Sequence, residues 1–178
     1  MEKVTRSLSK CNIRGVDLLI VISVGASEYP FDRLIKIIDE ICDEGIINGN
    51  EVIAQIGTSN YKPKNFKNFP LIGRDEFQKY IDEADIIITH AGTGCVVPPL
   101  KLGKKVIIFP RLAEYNEHLD NHQLELSNVF LKEGYVLCAN NKKELIDCIA
   151  RCSEFIPKKF ISNKENFNEL IINYIEKM

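Results

Sequence analysis

Three stretches of the 178-residue chain bring together residue types that can do chemistry. His90-Ala91-Gly92-Thr93-Gly94 follows an apolar run and opens a stretch of helical spacing. A Gly-x-Gly at that place lets backbone N–H groups approach an anion closely, and the helix dipole behind it favours a diphosphate by roughly 1 kcal/mol. Gly25-Ala26-Ser27 is a second turn of this kind after the first apolar run. Glu117-His118-Leu119-Asp120-Asn121-His122-Gln123 is dense in hydrogen-bonding side chains where another helix begins, a composition suited to gripping sugar hydroxyls. The three histidines of the chain, His90, His118 and His122, all fall in or after these loops.

Each stretch also has a plainer reading. Gly-x-Gly serves any tight strand-to-helix turn, and Asp or Asn before a helix satisfies its free N–H groups. His118 and His122 are four residues apart and share a helical face as zinc ligands do, but Leu119 stands where the hydrolytic zinc motif carries Glu, so no metal is expected.

Positioning such loops requires a scaffold that ends strands beside one another, and the apolar pattern supplies it. Short runs at Leu18 to Ile22, Glu51 to Ile56, Asp85 to Thr89, Lys105 to Phe109 and Tyr135 to Cys138 read as strands, the first rich in β-branched residues on both faces. Between them, Phe31, Leu34, Ile35, Ile38, Ile41 and Cys42 mark a helix introduced by Pro30 and closed by Gly45. Glu76 to Ala84, Cys95 to Leu102, a long stretch to Lys132, and Leu145 to Ile149 read as further helices. The strict alternation predicts an α/β fold: a doubly wound, mainly parallel sheet with helices on both faces and ligands beyond the strand carboxyl ends. The expected organisation is a polar extension over 1–15, one α/β domain over 16–156, and a linker with an amphipathic helix over 157–178. In that last segment Phe167, Leu170, Ile171, Tyr174 and Ile175 form an apolar stripe suited to a partner chain.

Bulk composition narrows the classes. A net charge of −2 with interspersed signs gives no basic face for nucleic acid. The longest apolar run, Val16 to Val24, contains Asp17 and falls well short of the ~20 residues that cross a bilayer, so a cytoplasmic protein without a membrane span of its own is expected. The six cysteines form no C-x-x-C pair and read as reduced, buried thiols.

Taken together, His90-Ala91-Gly92-Thr93-Gly94, the stretch from Glu117 to Leu126, and the opening Val24-Gly25-Ala26 with Pro30-Phe31-Asp32-Arg33-Leu34 resemble the C-terminal domain of glycosyltransferase family 28. The opening resembles the first loop and helix of its small stand-alone subunits, found in the dolichol pathway and in bacterial capsule and exopolysaccharide synthesis. The resemblance implies one Rossmann-like lobe of a GT-B fold that binds a UDP-sugar without an obligatory metal or other cofactor. A membrane-associated partner subunit would supply the acceptor site and the general base, and would recruit this chain to the membrane surface. By position it implies diphosphate contacts from Gly25, Ala26, Gly92, Thr93, Gly94 and Cys95, a uracil site at Arg74 and Phe77, and donor-sugar contacts from Asn121, His122 and Gln123. His90, Glu117 and His118 would shape the loops. The family often has Glu, gripping the ribose, where this chain has Pro98 followed by Pro99. That departure tilts the expectation toward a capsule or exopolysaccharide subunit, and leaves open an accessory subunit that enhances a partner transferase without strong nucleotide binding.

Overall fold

The computed structural model describes residues 18–161. The apolar stripe at Phe167, Leu170, Ile171, Tyr174 and Ile175 lies outside them. Within them the chain runs β1 (Ile20–Ser23), α1 (Asp32–Asp43), β2 (Val52–Gln55), β3 (Lys67–Phe69), α2 (Arg74–Glu83), β4 (Ile86–Thr89), α3 (Thr93–Lys101), β5 (Lys105–Ile108), α4 (His122–Lys132), β6 (Leu137–Cys138) and α5 (Lys142–Arg151). The strands form a six-stranded sheet in the order β3-β2-β1-β4-β5-β6, every pair parallel.

Alternation along the central strands builds the two faces. Ile20 and Ile22, Ile86 and Ile88, and Ile107 point to one side, where they meet Leu34, Ile35, Ile38 and Ile41 of α1 and Leu145, Cys148 and Ile149 of α5. Val21, Ile87, Val106 and Ile108 point to the other, against Ile81 of α2 and Val96 and Leu100 of α3. Both faces of β1 and β4 are thus covered, which is why these strands read as continuous β-branched runs. Full burial of each such side chain contributes about 1.5–3 kcal/mol.

The helix ends follow local chemistry. Gly45 at φ +66° closes α1, with Gly45 N donating to the Cys42 carbonyl and Ile46 N to the Ile41 carbonyl. Asn141 caps α5, accepting from Glu144 N at 3.0 Å, while its own amide donates to Glu144 Oε1 at 2.7 Å.

One expectation needs correction. Five strands were expected and six are present, because β3, an edge strand of sequence Lys-Asn-Phe, has no apolar run to betray it. It follows β2 through a loop rather than a helix, and buried Asp39 holds that loop by accepting from Tyr61 Oη (2.7 Å), Lys64 N (3.0 Å) and Asn65 N (2.9 Å). In the described part of the expected linker, Lys158 N donates to the Gly134 carbonyl at 3.0 Å and Phe160 packs on Tyr135.

Candidate functional site

The sheet order reverses between β1 and β4, which pair directly with Ser23 opposite Thr89. The crevice beyond their carboxyl ends is where open α/β sheets hold ligands. The two glycine turns leave from these two strands, so the fold brings together Gly25, Ala26 and the segment His90 to Gly94. The His90 imidazole is wedged between them. A β-carbon at Gly25 would lie 2.6 Å from His90 Cε1, and one at Gly92 would lie 2.4 Å from His90 Nε2. Gly25 also needs its glycine for backbone reasons, with φ +77°.

Helix α3 starts two residues before the expected Cys95, so Thr93 and Gly94 form its exposed first turn behind the N-cap Gly92. Among the described residues, the N–H groups of Ala26, Gly92, Thr93 and Gly94 have no intramolecular acceptor. Cys95 differs from its expected role: its N–H donates to the Gly92 carbonyl at 2.9 Å, as the helix's own geometry demands, and is not free for an anion. Burial, and secondly the charge of Arg111, press the His90 pKa down to about 4, so the ring between the loops is neutral at neutral pH.

A cavity of about 390 Å³ opens beside this cradle. Gly25, Ala26, Gly94 and Cys95 of the two glycine turns line it, as do Arg74 and Phe77 of α2, with Leu71, Ile72, Gln78, Pro98 and Pro99. Four of the six residues expected for diphosphate and both expected for uracil therefore line one space, while Gly92 and Thr93 do not line it. Arg74 is the first residue of α2 and exposed, with Phe77 one turn later.

Beneath the loops lie two guanidinium groups that sequence reasoning did not single out. Arg111 is 1% exposed. Its Nη1 donates to the carbonyls of Tyr29 (2.7 Å) and Glu117 (3.0 Å), its Nη2 to that of Val24 (2.7 Å), and its guanidinium lies over the Phe31 ring. Burial lowers its pKa to about 10, opposed by Glu117, which leaves it charged at neutral pH. Arg33 forks onto Glu117, with Nε to Oε1 at 2.9 Å and Nη2 to Oε2 at 2.8 Å, and it stacks between Phe109 and Tyr115. Glu117 also accepts from Leu112 N at 3.0 Å. Two guanidiniums against one carboxylate leave net positive charge under the site. The signal available in the sequence was a lone Arg directly after the apolar run Val106 to Pro110.

The residues expected at the donor sugar separate into two kinds. Asn121 and His122 are exposed at the start of α4. Gln123 is 3% exposed, and its Oε1 accepts from both Ala91 N (3.2 Å) and Arg111 N (3.1 Å). Its carbonyl oxygen thus pins the β4 loop to the β5 loop, and its amide Nε2 is the group left for the expected sugar contact.

His118, Asp120 and His122 place their ligand atoms within 4.8 Å of one another, the group among the described residues with metal-ligand chemistry. Both imidazole Nδ1 atoms turn to Asp120 Oδ1, and Asp120 N donates to His118 Nδ1 at 3.3 Å, so the cluster satisfies itself as a hydrogen-bonded turn. The His122 hydrogen bond is the main reason the Asp120 carboxyl is held below its usual range. No helix among the described residues is long and apolar enough to cross a membrane.

Comparison with known proteins bears on this geometry. The human UDP-N-acetylglucosamine transferase subunit ALG13 is 28% identical over 152 residues, covering 76% of this chain and 13% of the human protein. The chain thus spans a small part of that relative's length. An NMR solution structure of ALG13 has a TM-score of 0.57 at 21% identity, covering 86% of this chain and 94% of that one. The crystal structure of MurG from Acinetobacter baumannii has a TM-score of 0.54 at 16% identity, covering 96% of this chain and 52% of that one. At these identities the structures speak to the fold, and MurG contains it as about half of its chain. The family model of the glycosyltransferase family 28 C-terminal domain matches residues 19–175 and takes in β1, both glycine loops and the whole cavity between them, so the chain belongs to that family.

Proposed function

We propose that this chain is the donor-binding subunit of a two-subunit inverting glycosyltransferase, which transfers a hexose or N-acetylhexosamine from a UDP-sugar to a lipid-linked acceptor. The observation that carries the reading is the single cavity running from the N–H groups of the glycine loops to Arg74 and Phe77. Its lining combines backbone donors of the glycine turns with the Phe77 ring and the Arg74 guanidinium, the group types that a nucleoside diphosphate engages. In transfer, the leaving diphosphate gains negative charge. The N–H groups of Ala26, Gly92, Thr93 and Gly94, the α3 dipole and the positive charge of the Arg33–Glu117–Arg111 group would stabilise it in place of a metal.

The relative named above is a UDP-N-acetylglucosamine transferase subunit, which makes UDP-N-acetylglucosamine the first donor to test. Asn121 and His122 are the residues proposed to face that sugar. A membrane-associated partner is proposed to hold the acceptor and the general base, with this chain recruited peripherally. The setting in capsule or exopolysaccharide synthesis rests on Pro98 alone.

The test is calorimetric titration of the chain with UDP, UDP-N-acetylglucosamine, UDP-glucose and UDP-galactose, with and without EDTA. Binding at one site per chain that survives EDTA is expected. Pro98, standing where the family often has Glu, favours a second reading, an accessory subunit that docks on a partner transferase. A chain that forms a tight complex with its partner yet shows no nucleotide heat, alone or in the complex, would replace the first reading with the second.

A further inference from the structure

Ser23 and Gln55 end β1 and β2 and stand opposite each other in register. Paired residues share a face of the sheet, as do residues two apart, so both point to the side of Val21, which α2 and α3 cover. Both line the cavity. Gln55 is 8% exposed, and its Oε1 accepts from Ile72 N at 3.4 Å. That bond decides which way the carboxamide faces, because a backbone N–H can pair only with its oxygen, and Nε2 is the end left over. Among the described residues Nε2 donates to no protein acceptor, yet the buried side-chain atom cut off from both partner and solvent is Arg111 Nε, not this one. The Gln55 amide nitrogen is therefore open to the space that its residue lines. The other polar side chains of the lining are placed differently. Gln78 spends its Nε2 on Asp82 at 2.8 Å, Arg74 is exposed, and Ser23 Oγ accepts from Gly25 N at 3.4 Å. Gln55 is a buried donor held in one orientation beside Phe77, Ile81 and Ile87, and such a donor is stabilised by an acceptor brought to it.

We infer that Gln55 is the residue that reads the base: its Nε2 donates to the carbonyl oxygen at position 4 of a pyrimidine, so that the cavity prefers uracil to cytosine. The inference rests on the nucleotide reading above and adds to it the side chain that chooses between bases. Uracil carries an acceptor oxygen at position 4, where cytosine carries an amino group. That amino group would meet the Gln55 amide donor to donor and leave buried N–H groups without acceptors. A carboxamide free at both ends could turn over and serve either base. The Ile72 bond removes that freedom, and Ile72 lies two residues ahead of Arg74, so the segment that leads into α2 also sets the orientation of the reading group.

The experiment titrates UDP and CDP into the full chain and into two variants, Gln55→Met and Gln55→Leu. Both remove the amide but fill its space differently, so a packing defect in one does not decide the result, and far-ultraviolet circular dichroism checks that each is folded. The full chain is expected to bind UDP about tenfold more tightly than CDP, the effect of one net hydrogen bond made with the first and one donor left unpaired by the second. In the variants UDP is expected to weaken until the two nucleotides bind within about twofold of each other. Equal binding of UDP and CDP by the full chain, or a ratio of their affinities that stays the same in a folded variant, overturns this inference and leaves the nucleotide reading standing. Binding of neither nucleotide by the full chain overturns both.

Discussion

His90 shows how a single side chain ties stability to the geometry of the site. Its ring fills the space between two loops that only glycine can line, and burial holds its pKa at about 4, against about 6.5 in the unfolded chain. Between those two values the unfolded chain binds a proton that the folded chain refuses. The sign follows: His90 imposes no penalty above about pH 6.5, and stability is lost as pH falls toward 4. The loss amounts to on the order of 2–3 kcal/mol. Denaturant unfolding from pH 7 down to pH 4 is expected to show it in the full chain and a shallower fall in His90→Gln; parallel profiles would mean that the ring escapes its burial. Arg111 illustrates the complementary case, a buried charge tolerated because three carbonyls and an ion-paired neighbour surround it.

At the scale of elements, the N-terminus of α3 is the part most directly answerable to the proposed ligand. Gly92 and Gly94 lie two residues apart but face different constraints. A β-carbon at Gly92 would collide with His90, while one at Gly94 meets nothing within 4 Å and strains no backbone. Gly92→Ala is expected to displace the ring, lower stability by about 1–3 kcal/mol and abolish UDP binding. Gly94→Ala is expected to stay within about 0.5 kcal/mol of the parent and to weaken UDP only by crowding the anion. Thermal unfolding with and without UDP separates the two, and equal effects would contradict the wedge described for His90. These loops were legible in the sequence because glycine after a β-branched run has few other uses. The start of α3 was read two residues late because Thr93 and Gly94 are poor helix formers, held in place by the N-cap and by the cradle itself. Strand β3 was invisible for the opposite reason: an edge strand is covered on few sides, so Lys67 and Asn68 carry no apolar pattern. Gln123 and Arg111 escaped notice as structural pins because their partners are backbone groups far along the chain, at Ala91 and Val24, and no local spacing encodes such pairings.

For the molecule as a whole, two apolar clusters, one on each face of the sheet, explain why the fold needs no covalent staple. The five cysteines in the described residues are free thiols. Burial pushes Cys42, Cys138 and Cys152 up to about 12, far from the range in which a thiolate reacts. The unfolding midpoint is expected to be the same with and without a reducing agent, and a drop on reduction would reveal a disulfide the core does not require. The site divides along the same architecture. Its glycine-loop side is welded to the core by Gln123, Arg111 and the packed ring of His90, whereas its α2 side follows β3 and a loop moored by Asp39. In the currency of descent these halves are unequal. Substitutions beside the glycine loops disturb the packed core, while Leu71 and Gln78 on the outer wall can change without doing so. Homologues of this chain should therefore keep the floor of the pocket and rewrite its wall, and new ligand preferences should arise from that wall first.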